Sequence, residues 1–131
     1  DASFPRVLCL GVLMHVKRDA DALAELCRVL EPGGTLVVSF NSAWHPLSPL
    51  VRANNRFLKR WSGEYVQRFR TPAWMLDRLR AAGLDARVLP GSLSIGRSSV
   101  ALGFVRWLDA HVAPRVPGLT FEPVIACTKR S

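Results

Sequence analysis

Few side chains in this sequence are equipped for chemistry, and their settings divide them into groups. His15 stands between Met14 and Val16, just past an apolar run interrupted by Gly11. There an imidazole can take a proton near neutral pH, or hydrogen-bond the backbone of its own loop and shape a pocket wall. Asn41, Trp44 and His45 follow a second apolar run and offer an amide, an aromatic plate and a titratable ring. The alternative for these three is structural, with Trp44 as a packing plug and its neighbours as turn formers. Cys9, Cys27 and Cys127 are widely spaced and sit in apolar strands or on an apolar helix face, so reduced buried thiols are expected and no metal site. The stretch from Gly91 to Ser98 nearly matches the phosphate loop G-x-x-x-x-G-K-[ST]. Arg97 replaces its lysine and no apolar strand ends in an aspartate to hold magnesium, so a flexible Gly/Ser connection is expected instead.

The elements that must position these residues are organised around residues 28–40. A helix with Leu23, Leu26, Cys27 and Leu30 on one face runs into Pro32, which disfavours helical backbone at Glu31, and Gly33 and Gly34 permit a sharp reversal. Asp19 is a good N-cap for that helix, and Glu25 and Arg28 can pair on its exposed side. Residues 35–40 are uncharged and rich in β-branched and aromatic types, as in a strand covered on both faces. An earlier apolar run, residues 7–12, predicts a strand over residues 6–11, giving a βαβ unit. Further on, Thr71 and Pro72 open a helix that Gly83 stops, with Met75, Leu76, Leu79 and Ala82 on its apolar face. Residues 84–89 alternate as an edge-like strand, residues 101–112 form an amphipathic helix broken by Pro114, Pro117 and Gly118, and residues 122–128 form a last strand.

Three stretches together, FPRVLCLGVLMHV (4–16), DALAELCRVL (21–30) and EPGGTLVVS (31–39), resemble the middle of the class I S-adenosylmethionine-dependent methyltransferases, in the methyltransferase type 11 branch. The match is to the fourth strand, following helix and fifth strand of that family. Phe69 to Pro72 and Leu79 to Leu84 are similar to its later segments. One departure is Pro5, where the family usually carries Asp; it removes a backbone donor and predicts a strand that starts late.

The resemblance implies an α/β fold, a partial Rossmann-like methyltransferase sheet that is mostly parallel with an antiparallel last strand. Its strands would run in the order four, five, seven, six, with the front half of the domain absent. Residues 1–131 would then be the carboxyl-terminal portion of a single domain. The implied cofactor is S-adenosyl-L-methionine, met by Leu10, Gly11, Val12 and His15 where ligands collect beyond the carboxyl ends of strands. His15 is the candidate base. Asn41, Trp44, His45 and Arg68 are candidates for the acceptor side, although the histidine that usually precedes the position of Arg68 is missing. The implied reaction is in-line methyl transfer to a small-molecule or lipid-like acceptor. No E/D-x-G-x-G-x-G turn follows a strand and no strand-end acid is present to hold a ribose, so the fragment alone is expected to be inactive and to need the missing amino-terminal half.

Composition bounds the alternatives. The 131 residues are 49% hydrophobic, enough for one domain with a core and too apolar for a disordered chain. No apolar segment is long enough to span a bilayer and no basic leader precedes one, so a cytoplasmic protein is expected. The formal charge of +8 arises from fifteen Arg and three Lys against ten acids. No nucleic-acid partner is expected from it. A basic amphipathic helix over residues 47–61, with Leu50, Val51, Asn54, Phe57, Leu58 and Trp61 near one side, reads as a solvated outer face over a packing face; peripheral membrane contact is the other reading. The competing function is a non-catalytic basic α/β module that binds an anionic partner or membrane surface between Arg52 and Arg70.

Overall fold

A computed structural model of the chain describes residues 2–62, 67–92 and 102–130. Four strands form the main sheet: β1 (Phe4–Cys9), β2 (Leu30–Ser39), β5 (Leu84–Ser92) and β6 (Glu122–Lys129). Two short strands, β3 (Asn41–Ser42) and β4 (Phe69–Arg70), pair in parallel beside it. The helices are α1 (Asp19–Val29), α2 (Ser48–Ser62), α3 (Pro72–Ala81) and α4 (Leu102–His111).

The sheet order is β1-β2-β6-β5. β1 pairs with β2 in parallel, and β6 is antiparallel to both β2 and β5, so three strands share one direction and the last returns between them. This is the order expected from the sequence. It places the ends of β1 and β2, and the start of β6, on the side where an open α/β sheet takes its ligands.

The Pro-Gly-Gly turn departs from expectation. β2 begins at Leu30 instead of Thr35, and β1 begins at Phe4 instead of Arg6. Phe4 pairs with Leu30 and Arg6 with Thr35, so Pro5 faces residues 31–34 across a wide bulge. Gly33 makes this possible with φ +74°, and Gly34 lies so close to the neighbouring backbone that an added Cβ would sit 2.9 Å from the Glu31 carbonyl and 3.0 Å from that of Pro5. Pro5 does not delay the strand, because β1 is at the sheet edge and its missing N–H removes no interior ladder bond.

The core lies between the sheet, α1 and α3. Leu23 and Cys27 of α1, Met75 and Leu79 of α3, and Leu36, Val38, Leu84 and Ile125 of the sheet form one buried cluster. α3 is capped as the sequence predicts: Thr71 Oγ1 accepts from Trp74 N–H at 3.1 Å, Pro72 is the first helical residue, and Gly83 ends the turn with φ +81°. Ala82 is nevertheless exposed. Lys129 near the chain end donates to the carbonyls of Cys27 (2.9 Å) and Leu30 (2.7 Å), closing the C-terminus of α1.

Asp19 is not the N-cap. Arg18 holds that position without a side-chain bond, and Asp19 is the first helical residue. Its carboxylate is used elsewhere, in a bidentate pair with Arg70 (2.7 and 2.8 Å). The helix over residues 47–61 is present as α2; of its predicted packing face Leu50 and Phe57 are 67% and 62% exposed, Asn54 is exposed and Val51 is half-buried, while the side chains of Leu58 and Trp61 lie outside those described. The three cysteines are free and buried, as expected; burial pushes all three thiols up, that of Cys127 to about 12. Of the predicted glycine-serine connection, Gly91 and Ser92 extend β5, and residues 93–98 lie outside the described residues.

Candidate functional site

The ligand end of the sheet is built around the exit of β1. After Cys9 the chain turns through Leu10, Gly11 and Val12 into a short 3-10 turn, Leu13–His15. Leu13 and Met14 are buried and fix this turn, while Leu10, Val12 and His15 are exposed. Gly11 takes φ +69°, the left-handed region open to glycine, and a Cβ there would meet nothing within 4 Å. Its backbone therefore borders free space on a conformation that other residues reach only with strain.

The amide of Gly11 is engaged from behind. It donates to Ser39 Oγ at 2.8 Å, and the Ser39 hydroxyl donates in turn to Glu122 Oε1 at 2.6 Å. This relay joins the ends of β1 and β2 to the start of β6. Neither Ser39 nor Glu122 was picked out by the sequence; a hydroxyl closing an otherwise apolar strand, and an acid opening the last one, were the available signals.

A second tie crosses from α1 to the segment after α2. Asp19 is buried against Arg70, whose guanidinium also lies 4.3 Å from the centre of the Trp74 ring. Arg70 holds the Asp19 carboxyl below its usual range, chiefly through their hydrogen bonds. Nearby, Arg68 N–H donates to the Met14 carbonyl at 2.8 Å, so β4 is fastened to the 3-10 turn that presents His15. The space enclosed by Leu13, Met14, Phe40, Arg68 and Trp74 is about 10 Å³, room for at most one water. Asp19 and Arg70 are 51 residues apart, and no local pattern announces their pairing.

The predicted acceptor-side residues are distributed unevenly. Arg68 is partly buried by that cleft, and its Nε has no hydrogen-bond partner among the described residues. Asn41 is 1% exposed and neither atom of its amide is partnered among them, an unusual state for a buried polar group. His45 is buried with its ring edge against Phe121 (5.4 Å), and its Nδ1 accepts from Leu47 N–H at 3.2 Å. Trp44 is half exposed and borders Gly118. The cleft brings Arg68 to the turn of His15, but Asn41, Trp44 and His45 do not line it.

The exit of β1 suits one wall of a site for S-adenosyl-L-methionine: free space over Gly11, flanked by exposed apolar Leu10 and Val12. The Gly11 N–H is already donated to Ser39.

Known proteins resemble the chain in part of its sequence and in its fold. Residues 1–38 match the Methyltransf_11 family, described as a methyltransferase domain. A 43-residue stretch is 49% identical to the ubiquinone/menaquinone biosynthesis C-methyltransferase UbiE of Chromobacterium violaceum, covering 32% of this chain and 17% of that protein. Among solved structures, a Thermotoga maritima S-adenosylmethionine-dependent methyltransferase, described as a possible histamine N-methyltransferase, superposes with TM-score 0.69 at 22% identity. It covers 99% of this chain and 57% of its own. An S-adenosylmethionine-dependent methyltransferase of Mesorhizobium loti gives TM-score 0.63 at 17% identity, over 98% and 62% of the two chains. The chain thus spans under two thirds of the length of these relatives, and the likeness to the solved structures is one of fold. In the matched sequence segments the chain is similar to the class I S-adenosylmethionine-dependent methyltransferases, and its strand order and fold are like those of the solved members.

Proposed function

We propose that residues 1–131 form the carboxyl-terminal portion of a methyltransferase domain that moves a methyl group from S-adenosyl-L-methionine to a small-molecule or lipid-like acceptor. The cofactor supplies a methyl group made electrophilic by its sulfonium. Leu10, Gly11 and Val12 wall the methionine side, and the Ser39–Glu122 relay holds that wall still. His15, exposed at the rim, accepts the proton that the acceptor loses as its new bond to the methyl carbon forms and the carbon–sulfur bond breaks. Arg68, Trp44 and the region of Asn41 and His45 orient the acceptor, so that rate arises from alignment and exclusion of water. The relationship to a ubiquinone/menaquinone biosynthesis C-methyltransferase favours a carbon of a quinone-like ring as the acceptor atom.

The same reading assigns the exposed edge of β1, with the exposed side chains of Phe4 and Leu8 and of Leu10 and Val12 just after it, to contact with a preceding portion of the domain. That portion carries the glycine-rich turn and ribose-binding acid, and without it methyl transfer is not expected.

The observation that carries the proposal is Gly11, left-handed beside open space at the ligand end of the sheet. Gly83 supplies an internal control, because it has φ +81° and equal freedom around its Cβ but lies at the end of α3. Both Gly11→Ala and Gly83→Ala should lower stability by roughly 1 kcal/mol. In the full-length protein, Gly11→Ala alone should weaken S-adenosylhomocysteine binding, by about tenfold or more. Equal affinities in the two variants would refute the assignment.

A further inference from the structure

Asp19, Asp21, Glu25 and Asp85 are each held by an arginine. Glu122 is different: in a chain of charge +8 it has no ion pair among the described residues. It opens β6 at the ligand end of the sheet, just past the end of β2, where Ser39 pairs with Val124 and Phe40 N–H donates to the Pro123 carbonyl. Glu122 is half-buried, and Oε1 accepts from the Ser39 hydroxyl at 2.6 Å. The Ser39 oxygen accepts from the Gly11 N–H at 2.8 Å, so its own proton is committed to Glu122 and the direction of both bonds is fixed. Such a relay needs only an acceptor at its far end, which the amide oxygen of a glutamine would supply as well. The negative charge of Glu122 is not required by it.

A half-buried carboxylate without a cation is incompletely compensated, and a cation bound close by offsets that cost. The open space beside Gly11 lies two hydrogen bonds from this charge. S-adenosyl-L-methionine, on whose placement beside Gly11 this inference rests, carries a positive sulfonium. Opposite unit charges roughly 10 Å apart at a partly buried site still change an affinity several-fold. We infer that Glu122 is a specificity-determining residue that selects the sulfonium form of the cofactor over its neutral thioether product. Methyl transfer leaves the sulfur uncharged, so the same carboxylate holds S-adenosylhomocysteine less tightly and favours exchange of product for fresh cofactor.

The test is isothermal titration of the full-length protein with S-adenosyl-L-methionine, with S-adenosylhomocysteine and with sinefungin, in which an amine-bearing carbon stands for the methylated sulfur. Glu122→Gln should weaken the two ligands charged at that position by about fivefold or more and S-adenosylhomocysteine by less than about twofold. Hydrogen exchange at the Gly11 amide should stay unchanged in this variant, because glutamine still accepts from Ser39. Glu122→Asp keeps the charge and should keep the parent's ratio of affinities even where all three fall. Glu25→Gln removes an equal charge from the exposed side of α1 and should leave the ratio unaltered. Equal weakening of the three ligands by Glu122→Gln, no weakening, or the same change of ratio from Glu25→Gln would overturn the inference and leave the cofactor assignment standing. A parent protein that binds none of the three would refute the cofactor assignment itself, and this inference with it.

Discussion

β1 and β2 are adjacent parallel strands of similar composition, yet they live in different environments. Leu36 and Val38 of β2 are fully buried, whereas Leu8 of β1 is 72% exposed. The difference comes first from the face: Leu36 and Val38 lie under the helical layer, where Val7 and Cys9 of β1 also pack, whereas Leu8 pairs with Val37 on the opposite face of a strand that has a partner on one flank only. Apolar character in a strand reports that a face is meant to be covered, but not by which part of a protein. The contrast extends to the helices, since α1 and α3 press apolar faces into the core and α2 turns its stripe outward.

Substitutions that separate the two environments follow in order of expected size. Leu36→Ala should cost about 2–5 kcal/mol in denaturant unfolding, because it opens a cavity in the central cluster. Asp19→Asn should cost roughly 1–3 kcal/mol, less than a fully buried pair would, since Arg70 is a third exposed. The lowered folded pKa of Asp19 sets the sign of its pH dependence. The stabilisation is complete above the unfolded value of about 4 and fades as pH falls through the folded one, so the variant and parent should converge only in acid. Ser39→Ala should cost about 1 kcal/mol and, more tellingly, speed hydrogen exchange at the Gly11 amide that Ser39 now accepts. Leu8→Ala should change stability by less than about 0.5 kcal/mol. A cost at Leu8 approaching that at Leu36 would mean that β1 is covered in the isolated chain.

Much of the sheet was legible because its chemistry is local. The uncharged residues 35–40, the alternation of residues 84–89 and the Thr71-Pro72 start of α3 each announce their own element. What escaped depends on contacts made at a distance. Pro32-Gly33-Gly34 looks like a stop between helix and strand, but pairing of Phe4 with Leu30 draws Leu30 into the sheet and turns the glycines into a bulge. Asp19 has the chemistry of an N-cap, and Arg70, far along the chain, claims its carboxylate. The periodicity of α2 marks an apolar face correctly, and its exposure depends on what surrounds it, which no periodicity encodes. At the candidate site, Gly11 was legible as a glycine ending an apolar run, whereas in the relay behind it the bond from Ser39 to Glu122 spans 83 residues.

The central claim is that this chain supplies one wall of a cofactor site and depends on a preceding portion of the domain for the rest. Isothermal titration with S-adenosyl-L-methionine tests it most directly, performed on the 131-residue chain and on a chain lengthened through the residues encoded immediately upstream. The account predicts binding weaker than about 100 μM for the former and near about 1 μM for the latter. Micromolar binding by the shorter chain, or none by the longer one, would contradict it.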